Sequence, residues 1–70
     1  MKRRIFIVGP GEAGEHYGDT LYQVCTTDNH RNSFFDIYQN DDYEEYDSTC
    51  RLESAILIAK KLGAKRPKVI

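Results

Sequence analysis

The chain has no tryptophan, one methionine, two prolines and two cysteines. Two thiols do not make a disulfide framework, so Cys25 and Cys50 read as free, partly buried side chains behaving as small hydrophobes. No long apolar run is present either. The longest near the start, Ile5 to Val8, is too short for a signal-peptide core or a membrane span. These absences predict a reduced, cytoplasmic location and no membrane contact. Net charge is −1, which removes any bulk electrostatic drive toward nucleic acid or lipid.

What is present is globular composition, 40% hydrophobic and 30% charged, in 70 residues, enough for a single small domain over 1–70. A chain this short buries only about 60% of its unfolded surface. A pocket holding substrate, cofactor and catalytic groups together is hard to fit, so the expectation is a non-enzyme with no cofactor. Charge is segregated along the chain. Residues 1–3, with Arg4, are basic, and the 64–70 tail is basic. Asp36, Asp41, Asp42, Glu44, Glu45 and Asp47 form an acidic centre with no Lys or Arg among them. The basic ends either pair with this centre or serve as separate partner patches.

Arg4 to Val8 is rich in β-branched and aromatic residues and reads as a central strand, ended by a type II turn at Gly9-Pro10-Gly11. Glu12 to Thr20 reads as a loop with at most one helical turn, because Gly14 and Gly18 weaken a helix there. Leu21 to Thr27 alternates as a second strand, and residues 28–32 are turn chemistry. Phe34 to Gln39 follows as a third strand in a hairpin, and Tyr43 to Asp47 as a short charged edge strand. Ser48 or Asp47 caps a helix from Arg51 to Leu62, with Leu52, Ala55, Ile56, Ala59 and Leu62 as its buried stripe and Gly63 as its C-terminal stop. The predicted fold is α+β: a small antiparallel sheet of three to four strands with one C-terminal amphipathic helix packed on one face.

Four constellations bear on function. Gly9-Pro10-Gly11-Glu12-Ala13-Gly14 follows an apolar strand and resembles the dinucleotide-binding fingerprint of the Rossmann family over residues 4–28. The resemblance implies a nucleotide-binding fragment using Gly9, Gly11 and Gly14, with Asp28 near the ribose. Residues 15–20 are few for the crossover such a site needs, and a glycine-rich turn is the competing reading. His16, Cys25, His30 and Cys50 lack zinc-ligand spacing, and the carboxylates lack a calcium-loop pattern, so no metal is expected. His30 and Arg31 at a hairpin tip, with Lys65, Arg66 and Lys68 on the tail, suit phosphates and make a nucleic-acid-binding domain the second reading.

The preferred reading rests on the acidic, tyrosine-rich stretch. Tyr38, Asp41, Asp42, Tyr43, Glu44, Glu45 and Tyr46 combine adhesive rings with carboxylates that select a basic surface. This predicts a protein-interaction or regulatory module with a protein partner. A charged sheet edge with snorkelling tyrosines is the plainer account of the same residues. Cys50 and Leu57, opposite the helix's core stripe, are either scattered surface apolars or the seed of a homodimer contact.

Overall fold

The computed structural model of the chain describes residues 3–12 and 20–70. Their order is β1 (Arg4–Glu12), β2 (Thr20–Thr27), α1 (Phe34–Gln39), β3 (Glu44–Thr49), α2 (Leu52–Lys61) and β4 (Lys68–Val69). Four strands form one sheet in the order β3-β2-β1-β4. The domain is α+β with a C-terminal helix, as the sequence predicts. The sheet is mixed, however: β2 is antiparallel to β1 and β3, but β4 is parallel to β1, with Phe6 opposite Lys68 and Ile7 opposite Val69. The 64–70 tail is therefore partly built into the fold. The Ile70 N–H donates to the Ile7 carbonyl at 2.8 Å, and the Ile70 carbonyl accepts from the Gly9 N–H at 3.3 Å.

β1 is apolar on both faces because both faces are covered. On one, Ile7 and Val24 are buried against Ala55 and Ala59 of α2, flanked by Ile5, Tyr22, Ile56, Ile58 and Leu62. Alanines four residues apart stand one above the other on a helix and let its axis approach the sheet closely. On the other face, Phe6 and Cys25 are buried against Ile37 of α1, with Phe34, Tyr38 and Tyr43 around them. A single helix on one face was expected; the structure has two, one on each side.

The second helix replaces the strand expected over 34–39. Four of its six residues favour strands by type, but Phe34, Ile37 and Tyr38 recur at helical spacing and all pack on Phe6 and Cys25. Ser33 caps it, its Oγ accepting from the Asp36 N–H at 3.2 Å. The preceding loop is organised by Asn29, whose Oδ1 accepts from the N–H groups of Arg31 and Asn32 at 2.9 and 3.0 Å. Arg4 locks that loop from β1. Its guanidinium donates to the carbonyls of Asn29 and Asn32 at 2.9 and 2.8 Å and lies 4.2 Å from the Phe34 ring centre.

Gly9-Pro10-Gly11 is not a terminating turn. β1 runs through it with a bulge: Val8 pairs with Gln23 and Gly11 with Leu21, so one extra residue faces Tyr22. Proline lacks the ladder donor and is tolerated at such an irregularity. Gly9 has φ +154, and a Cβ there would sit 2.6 Å from Cδ1 of Tyr22. Only glycine fits. Of the expected 12–20 loop, Glu12 and Thr20 are strand ends. Residues 13–19, including Gly14, His16 and Gly18, lie outside the described residues, as does Lys2.

α2 differs from expectation at its start. Asp47 and Ser48 are taken up by β3, paired with Val24 and Gln23, so the cap position falls to Arg51, which makes no side-chain capping bond. Leu52 is 37% exposed, since the tight contact line runs through the alanine pair and leaves the first helical residue at its rim. The stop is as expected. Gly63, at φ +113, donates to the Lys60 carbonyl and Ala64 to the Ala59 carbonyl, both at 3.0 Å, closing the last turn.

Candidate functional site

The acidic stretch is shaped by a reversal between α1 and β3. Asp41 adopts φ 54, a left-handed conformation that short polar residues tolerate. The Asp41 and Asp42 N–H groups donate back to the carbonyls of Tyr38 and Ile37 at 3.3 and 3.0 Å. Buried Thr27 secures the far side of the turn, its hydroxyl donating to the Asp42 carbonyl at 2.6 Å and accepting from the Asn29 N–H at 3.1 Å.

The structure separates the seven candidate residues into two groups. Tyr38 and Tyr43 are half-buried and stack on each other with ring centres 5.4 Å apart, and Tyr43 meets Phe6 edge-on at 5.8 Å. These two rings complete the core under α1. Burial raises the Tyr43 hydroxyl pKa, with Tyr38, Cys25, Asp41 and Glu45 adding to the rise. Asp41, Asp42, Glu44, Glu45 and Tyr46 are exposed, Tyr46 by 59%.

Each of three carboxylates has one neighbour and remains open to solvent. The Asp42 Oδ2 accepts from Asn29 Nδ2 at 2.7 Å, and Glu45 Oε1 accepts from Gln23 Nε2 at 2.9 Å. Glu44 pairs with Arg3 at 3.0 Å, and the same Arg3 reaches Asp28 at 3.2 Å. Exposed pairs of this kind contribute roughly 0–1 kcal/mol and leave the local potential negative. Asp47 and Ser48, which the candidate set omitted, continue the same exposed strand. Beside β3 a groove of about 580 Å³ opens against the end of α2, with Ile5, Thr26, Tyr46 and Leu62 as its less polar lining and Arg3, Glu44 and Glu45 as its charged lining. Nothing in the local sequence announced it, because its walls come from four separate segments.

The competing sites are placed as follows. Gly9 and Gly11 lie within a paired strand, and β1 and β2 are antiparallel, whereas a dinucleotide fingerprint requires a helical crossover to a parallel strand. Asp28 is engaged by Arg3. His30 and Arg31 are exposed in the β2–α1 loop, not at a hairpin tip, and share a shallow cleft with Asp28, Asn29 and Asp42. Lys65 and Arg66 are exposed where the chain enters β4 from the Arg4 end. Helices on both sheet faces close off the mode in which a sheet lies in a DNA groove. Cys25 is buried, and its thiol is pushed up to about 12, chiefly by burial and then by Glu45; Cys50 is exposed. Leu57 is 61% exposed. Among the described residues, no three His, Cys, Asp or Glu side chains are grouped to hold a metal, and no helix is long and apolar enough to cross a membrane.

No protein-family model, curated protein or solved structure matches the chain.

Proposed function

We propose that the domain is a non-enzymatic protein-interaction or regulatory module that receives a basic partner surface along β3 and the turn before it. One observation carries this reading: among the described residues β3 is the last strand of the sheet, and every side chain on it from Glu44 to Ser48 is exposed. Carboxylates held on a strand, Glu44 and Asp47 toward one face and Glu45 toward the other, present fixed negative charge on both sides of the edge, which selects basic partners and speeds their approach. The exposed ring of Tyr46 supplies apolar area within that row.

Replacing Asp41, Asp42, Glu44 and Glu45 with their amides tests it. The amides keep an acceptor oxygen toward Asn29 and Gln23, so stability should change by no more than about 0.5 kcal/mol per site. Capture of protein partners from a nuclease-treated extract should fall strongly. Association of the unmodified domain should slow with added salt, because exposed charge is screened over about 8–10 Å. Lys65, Arg66 and Lys68 changed to glutamine serve as the matched control. Capture that survives the acidic changes and fails with the basic ones would refute this reading, and capture that needs the basic residues and is lost on nuclease treatment would favour the nucleic-acid one.

A further inference from the structure

We infer that the partner binds as an extended basic segment, added as a further strand along the outer edge of β3, with one apolar side chain seated in the groove beside it. The inference rests on the proposed function and names the shape of what that site takes.

The outer edge of β3 is the first argument. The sheet order places β3 last, so among the described residues no strand pairs with its far side. A helix or a loop laid against carboxylates can answer their charge, but only an extended backbone also satisfies a row of strand donors and acceptors. The second argument is charge. Register puts Glu45 on the α1 side with Cys25, and Glu44 and Asp47 on the α2 side with Thr26 and Val24. A strand added beyond them lies about 4.8 Å away and offers side chains alternately to both faces, so basic residues on either face meet a carboxylate.

The third argument is the groove. Glu44 and Tyr46 belong to β3 and line it, with Ile5 and Thr26 as floor and Leu62 and Gly63 as the far wall. A side chain on the α2 side of an added strand stands next to those two residues, at the mouth of a groove of about 580 Å³ whose lining also includes Arg3, paired with Glu44, and Glu45; an uncharged apolar side chain suits that position better than a second cation. Gly63, which has no side chain, ends α2 at this wall and keeps it open. A second copy of this chain is a poor occupant through the same strand. β3 carries three carboxylates and no Lys or Arg, so a second copy adds like charge to this edge and supplies no basic side chain from the pairing strand. The register shift between Val24 and Cys25 marks a bulge in this edge, which also works against flat, open-ended stacking.

The test uses an eight-residue peptide of alternating lysine and valine and the same sequence N-methylated at its four central amides. Methylation keeps the charge and removes the strand donors. Nuclear magnetic resonance of the whole domain should show saturable binding of the first peptide, with slowed amide exchange confined to residues 44–49. The methylated peptide should bind at least tenfold more weakly. Equal binding of the two would overturn strand addition while leaving the acidic edge as a charge-selective surface. Absence of binding by either peptide at millimolar concentration would overturn it as well, and the capture experiment with the amide variants then judges the broader reading separately. Protection of residues 44–49 that grows with domain concentration, without peptide, would identify a second copy as the occupant and refute the inference.

Discussion

Truncating Ile37 to alanine isolates what α1 contributes and decides whether residues 34–39 act as a helix. Ile37 is fully buried against Phe6 and Cys25, so the change removes methyl and methylene groups from the core. Ile→Ala at such sites costs about 2–5 kcal/mol, against roughly 3.5–10 kcal/mol of total stability for 70 residues. Phe34 stacks on Phe6 at 4.9 Å and lies under the Arg4 guanidinium. Phe34→Ala should therefore cost about 1–2.5 kcal/mol from those two contacts, before counting lost area. Phe35 is 58% exposed, and Phe35→Ser should fall within about 0.5 kcal/mol of the parent. A strand would pair residue 35 with 37 on one face; a helix pairs 34 with 37 and 38. Urea denaturation at pH 7 reads the difference. With a slope near 1 kcal/mol per molar, Ile37→Ala should lower the midpoint by about 2 M or more. If that variant is wholly unfolded, Ile37→Val, at about 0.5–1.5 kcal/mol, keeps the comparison measurable. Phe35→Ser matching Ile37→Ala while Phe34→Ala is neutral would refute the helix.

Gly9→Ala should destabilise by about 2–6 kcal/mol, summing an unfavourable φ and a Cβ pressed on Tyr22, whereas Gly63→Ala meets open space and should cost only the backbone part, about 1–3 kcal/mol. Equal melting shifts for the two would show that Tyr22 yields freely. The Cys25 thiol is raised from 9.0 to about 12 in the folded domain, so its contribution is complete below pH 9 and drains away as pH climbs toward 12. Cys25→Val should flatten that decline by up to about 1.4 kcal/mol per pH unit, and an unchanged slope would show that Cys25 does not cause it. At neutral pH a thiol reagent should label Cys50 rapidly and Cys25 only on unfolding; prompt labelling of both would contradict the burial.

The elements with regular spacing were readable in the sequence. β1 and β2 alternate or run apolar, and α2 carries its stripe and its Gly63 stop. α1 was not, because Phe34, Phe35, Ile37 and Tyr38 favour strands by type, and the spacing that buries three of them is outweighed over six residues. Ser33 three residues before Asp36 was the overlooked cap signal. β4 escaped because two residues after Pro67 carry no period at all. In the acidic tract, composition identified the exposed carboxylates. It did not reveal that Tyr38 and Tyr43 turn inward, since that depends on α1 standing over Phe6. The groove was invisible for a similar reason, as its walls meet only in the folded chain.

β4 is two residues long, yet it lies along β1, which carries Ile5, Phe6, Ile7 and Val8 in succession. Without it, the most apolar strand of the sheet would present a naked row of backbone donors and acceptors. Such an edge is a template for pairing with other chains. Proteolytic trimming after Lys65 would thus leave most of the fold's contacts in place while exposing an adhesive seam. The clipped domain should form intermolecular β-structure faster than its loss of stability alone would explain.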